Sequence, residues 1–72
     1  SHFARGQYFF AQKEFATARP HIKQTIALGI NNWDVWLMLL QTNDALGDNA
    51  ALLQDSEQVL SLYPTQPAAY LY

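Results

Sequence analysis

The stretch Asn31-Asn32-Trp33-Asp34-Val35-Trp36-Leu37-Met38-Leu39-Leu40-Gln41-Thr42-Asn43-Asp44-Ala45-Leu46-Gly47 decides the fold. Trp36, Leu39, Leu40 and Asn43 recur three and four apart, which puts them on one stripe of a helix. Asn31 or Asn32 can cap its start, and Asp34 lies in the first turn, where negative charge is favoured. Gly47 suits the left-handed residue just past a helix end. The longest apolar run, Val35 to Leu40, is far shorter than the roughly 18 residues a membrane span needs.

The same signals extend outward. Upstream, a helix from about Ala16 to Leu28 carries Ala18, Ile22 and Ile26 on one face, with Pro20 expected in its first turn or so. Gly29 then stands past its end. Before it, a segment from about Phe3 to Gln12 bears Phe3, Gly6, Phe9 and Phe10, and Lys13-Glu14-Phe15 reads as a short turn. Downstream, Asp48 can cap a fourth helix in which Leu52, Leu53, Val59, Leu60 and Leu62 face inward, and Pro64 ends it. Thr65 caps an expected fifth helix with Pro67 in its first turn. No alternating strand pattern survives for more than a few residues, so the chain reads as all-α.

Composition narrows the function. Seventy-two residues allow one compact unit, and a chain this short buries only about 60% of its unfolded surface. Ten residues are aromatic and only ten are charged, so some apolar surface is expected to meet a partner. A net charge of −2 with four basic residues offers no basic face for nucleic acid. An RNA-binding helical repeat is disfavoured on the same ground. Without cysteine there is no disulfide and no thiolate metal site. The start, Ser1-His2-Phe3-Ala4-Arg5-Gly6, lacks the apolar stretch of a signal peptide. Cytoplasm and periplasm both remain compatible.

Laid on itself at an offset of 34, the chain aligns helix with helix and turn with turn. Ala11 meets Ala45, Ala18 meets Leu52, Ile26 meets Leu60, Leu28 meets Leu62, and Trp36 meets Tyr70. The turn residue Lys13 falls on Gly47, and Ile30 on Pro64. Such a period, with two helices in each unit, points to stacked helical hairpins, each unable to bury its apolar face alone.

These residues resemble the tetratricopeptide repeat family. The second unit matches through Trp36, Leu39, Gly47, Leu60, Leu62 and Pro64, and the first through Gly6, Phe9, Phe15, Ala18 and Ile26. In several places the chain departs from the family's pattern. Leu40 and Leu52 stand where small residues are preferred, Asn43 and Ser56 where aromatic ones are, Arg5 where leucine is usual, and Lys13 in place of the turn glycine. The resemblance implies a right-handed stack of antiparallel hairpins. It comprises about two repeats, near 1–32 and 33–66, and part of a third over 67–72, cut from a longer array. It also implies that Gly6 and Ala18 are the small residues that let paired helices approach closely.

In that family the first helix of each repeat lines a concave groove for a peptide or partner helix. The resemblance places Phe3, Gln7 and Phe10 there from unit one, Leu37, Gln41 and Asp44 from unit two, and Leu71 beyond. Phe3, Phe10 and Leu37 would supply apolar anchors, and Gln7 and Gln41 would pair with a ligand backbone. The competing reading is that some of them merely cover the core or a seam between units. The lysine and asparagine clamp by which some members hold a C-terminal carboxylate is missing, so chaperone-tail binding is disfavoured. The expected function is a scaffold or adaptor segment. The rival is a structural spacer or oligomerisation repeat, since the end Ala68-Ala69-Tyr70-Leu71-Tyr72 leaves apolar surface for self-association.

Nothing in the residues points to catalysis or a cofactor. Asp55 and Glu57 are two apart and diverge on a helix, Ser56 and Ser61 have no histidine at suitable spacing, and no glycine-rich phosphate loop exists. His2 and His21 read as isolated surface residues without the companions a metal site requires. Lys23, Glu14, Arg19 and Asp48 read as solvated face or caps. Trp36 is expected in the core. Trp33 either packs on the Gly29–Ile30 turn or lies at an interface. Of the adjacent aromatics, Phe9 is the core candidate, Phe10 the groove candidate, and Tyr8 fits either side.

Overall fold

Four helices follow one another in the computed structural model, which describes residues 1–66. They are α1 (His2–Ala11), α2 (Phe15–Ala27), α3 (Trp33–Leu46) and α4 (Asn49–Leu62). No strand occurs among the described residues. The fifth helix expected beyond Thr65, and Leu71 with it, fall outside them.

Local chemistry sets the boundaries. Ser1, Asn32 and Asp48 cap α1, α3 and α4, each accepting a hydrogen bond from a backbone N–H three residues on: Ala4 at 3.3 Å, Val35 at 3.1 Å and Ala51 at 3.1 Å. Of the two asparagines open as caps for α3, Asn32 does the capping. Asn31 instead accepts from the Trp36 indole N–H. Three helices then end alike. The N–H of Gly47 bonds to Asp44 O and that of Asp48 to Asn43 O, both at 3.0 Å. Gly29 with Ile30, and Lys13 with Glu14, repeat the arrangement on Ile26 and Thr25, and on Phe10 and Phe9. Each such ending needs a left-handed residue. Gly29 and Gly47 have φ of 94° and 68°, and Lys13 has φ of 60°.

Direct packing runs α1 on α2, α2 on α3, and α3 on α4. The core consists of Ala18, Ile22, Val35, Trp36, Leu39, Leu40 and Val59, with Phe3, Phe9, Phe10, Ile26, Leu52 and Leu60 half-buried against it. Gly6 sits where α1 and α2 approach closely. A Cβ there would meet Ile22 Cγ1 at 3.1 Å and Ile22 N at 3.5 Å.

Two expectations are corrected. Leu53 and Leu62 do not face inward; they are 61% and 43% exposed. One side of α4 meets α3, and Val59 and Ser56 already fill it. Pro20 lies in the second turn of α2, not the first, because the helix starts at Phe15. There it withholds the donor that the Ala16 carbonyl would otherwise receive.

Candidate functional site

Phe3, Gln7 and Phe10 share one face of α1 by their spacing of four and three, and Leu37, Gln41 and Asp44 share one face of α3. Gln7, Gln41 and Asp44 are exposed; Phe3, Phe10 and Leu37 are half-buried. Each row therefore shows polar groups to solvent beside partly covered apolar ones. The apolar members also serve the interior. Phe3 and Phe10 pack on the core, and Phe10 meets the ring of Phe15 edge-on with centroids 5.6 Å apart. Because α1 and α3 both pack on α2, the two rows are joined chiefly through that helix.

A shallow open depression of about 530 Å³ lies elsewhere. It is lined by Phe9, Lys13, Glu14, Phe15, Thr17 and Leu46, where the α1–α2 turn meets the end of α3. None of the six described groove candidates contributes to it. It lies beside the left-handed turn at Lys13, a feature that helical periodicity does not reveal.

Three side-chain groupings went unread in the sequence. Arg19 Nη1 donates to Asp48 Oδ2 at 2.8 Å and to Asn43 Oδ1 at 3.1 Å, and Asn43 Nδ2 donates to Asp55 Oδ2 at 2.7 Å. Asn43 is buried, so this chain of bonds satisfies its amide while tying α2, α3, α4 and the α3–α4 turn together. Arg19 and Asp48 are thus partners and not merely solvated. The hydrogen bond from Arg19, with a second from the Ala51 N–H, holds the Asp48 carboxyl below its ordinary pKa. Asp55 and Glu57 do diverge: one is half-buried on Asn43 and the other is exposed.

The second grouping corrects the expectation that His2 and His21 stand apart. Their Nδ1 atoms are 3.3 Å from one another across the α1–α2 interface. Phe9 stacks on His21 with centroids 5.8 Å apart and planes 13° apart. The third involves Trp33, which packs edge-on against Tyr63 at 5.6 Å, a partner that neither expected placement named. The Tyr63 hydroxyl in turn donates to Asn31 O at 3.1 Å, pinning the end of α4 to the start of α3. Sequence spacing could not disclose contacts 19 to 32 residues apart.

The fold and these groupings define an all-α domain of four helices packed sequentially as adjacent pairs. Against known proteins, the chain matches no family model, no curated protein and no solved structure. Among the described residues, no three His, Cys, Asp or Glu side chains cluster as a metal site, and no helix is long and apolar enough to cross a membrane.

Proposed function

We propose that this chain is a tetratricopeptide-like interaction module that binds a protein segment and performs no catalysis of its own. In this reading α1–α2 and α3–α4 are successive antiparallel hairpins of a right-handed stack; the partial third repeat expected over 67–72 lies outside the described residues. The turn residues Lys13 and Gly47, 34 positions apart, both adopt left-handed backbone and both close a helix with the same pair of hydrogen bonds. Gly29 shares this ending, so it is the match at the offset of 34 that supports the repeat.

The observation that carries the binding role is the composition of the two rows on α1 and α3. Gln7, Gln41 and Asp44 are free to meet a ligand's backbone, and Phe3, Phe10 and Leu37 keep part of their apolar surface open. A peptide or partner helix would dock on this preformed surface, with apolar contacts anchoring it and the amides fixing its register. The weak basic content argues for a protein ligand over nucleic acid.

The test uses the exposed members, since substituting Phe10 would also disturb the core. A peptide selected from a displayed random library on the unsubstituted chain should lose binding to the Gln7→Ala/Gln41→Ala double variant and to Asp44→Lys. Their melting temperatures should be unchanged. Retained binding in all of them rejects the surface.

A second reading, a spacer or oligomerisation repeat, is favoured by a different observation. Leu28, Ile30, Leu53 and Leu62 expose large apolar side chains outside both rows. Sedimentation that finds a concentration-dependent dimer, lost in Leu53→Glu, would support it.

A further inference from the structure

We propose that His2 and His21 form a two-imidazole clamp for a borderline divalent cation such as zinc, which staples α1 to α2. This does not depend on the peptide-binding reading. The two Nδ1 atoms lie 3.3 Å apart. That is the separation of two nitrogens on one edge of a tetrahedron around zinc, given Zn–N distances of about 2.0–2.1 Å. A shared proton also accommodates such a distance, so the geometry admits a hydrogen bond in the absence of metal and a chelate in its presence.

The surroundings place both ligands side by side. Both histidines are on helices, His2 in the first turn of α1 and His21 near the middle of α2, so their backbones are already positioned. Phe9 stacks on the His21 ring and limits its rotamers. Gly6 brings the two helices together at this point, its absent Cβ leaving 3.6 Å to His21 Cβ. The rings are tilted by 31° with centroids 5.6 Å apart, so the two Nδ1 atoms point nearly head-on; a tetrahedral angle at the metal requires each ring to swing by about 35°, which the soft χ2 torsion of histidine permits. Both residues are half-buried, which leaves an approach from solvent.

Imidazole nitrogen suits zinc, nickel and copper(II) and not the hard cations magnesium or calcium. Among the described residues no third ligand completes the set. Water, or a donor from another molecule, would have to fill the remaining positions. For the metal to bind, both rings must be neutral with their N–H on Nε2, which leaves both Nδ1 atoms as donors.

Because the site spans two helices, the folded chain binds zinc more tightly than the unfolded one, and the metal raises stability by mass action. With zinc chloride a few-fold above its dissociation constant, the melting temperature of the 72-residue chain should rise by about 4–8 °C. EDTA should reverse the rise, and magnesium chloride should not produce it. His2→Asn and His21→Asn should each abolish it. Persistence of the shift in either variant, or its absence in the unsubstituted chain, overturns the proposal. If either variant fails to fold, an NMR titration of the unsubstituted chain decides. Zinc must move the 15N resonances of Nδ1 in both imidazoles together; movement of one alone, or of neither, refutes the clamp.

Discussion

Lys13 occupies a backbone conformation that disfavours any side chain with a Cβ, and Gly47 takes the same conformation 34 residues on. For an L-residue the left-handed region costs roughly 1–2 kcal/mol, while glycine reaches it freely at some expense in unfolded-state entropy. Lys13→Gly should therefore stabilise the chain by about 0.5–1 kcal/mol, visible as a higher urea midpoint with an unchanged slope. A lower midpoint would mean that the aliphatic stem of Lys13, which borders the depression beside Phe9 and Phe15, contributes more than the backbone strain removes. The sequence alignment already placed Lys13 on Gly47, so the turn was legible. Its left-handed geometry in a residue other than glycine was not, since periodicity carries no information on φ.

At the scale of elements, the α1–α2 pairing rests on one missing side chain. Ile22 sits 3.1 Å from where a Cβ on Gly6 would lie, and Ile22 is itself buried. Gly6→Leu must push α1 outward, at a cost of about 1–3 kcal/mol. It should also raise the exposure of Phe9 and His21, read as faster solvent exchange at α1 amides. Unchanged exchange would show that α1 is held by other contacts. All four helices were legible from apolar spacing and caps, with ends within a residue or two. The width of the inward face of α4 was not. Leu53 and Leu62 lie on opposite flanks, roughly 90° from the strip that Ser56 and Val59 occupy at 100° per residue, and how wide an arc α3 covers is not written in the spacing.

Across the whole molecule, polar side chains link what the apolar core separates. The bonds from Arg19 to Asp48 and Asn43, and from Asn43 to Asp55, connect residues on α2, α3, α4 and the turn between the last two. This network was illegible because its members are 12 to 29 residues apart and each has an ordinary local role. The rows of candidate groove residues were legible as helix faces but not in their relation to one another, which the intervening α2 determines.

The network also gives the fold a dependence on acid. Arg19 and the Ala51 amide hold the Asp48 carboxyl below its ordinary pKa, so the folded state favours the ionised form. The stabilisation is fully present above the ordinary aspartate range and is lost as the pH falls through the lowered folded value. Melting temperature should decline across that acidic window, and the decline should be shallower in Asp48→Asn. Parallel declines in both would assign the acid sensitivity to another carboxylate.

Among the described residues the helices contact one another chiefly in sequence order, a short row in which α1 is held mainly through α2. Opening should thus travel inward, with α1 peeling away before α2 and α3 part, and hydrogen exchange should grade along the chain accordingly. Equal protection of α1 and α3 would mean that the row stands or falls as one.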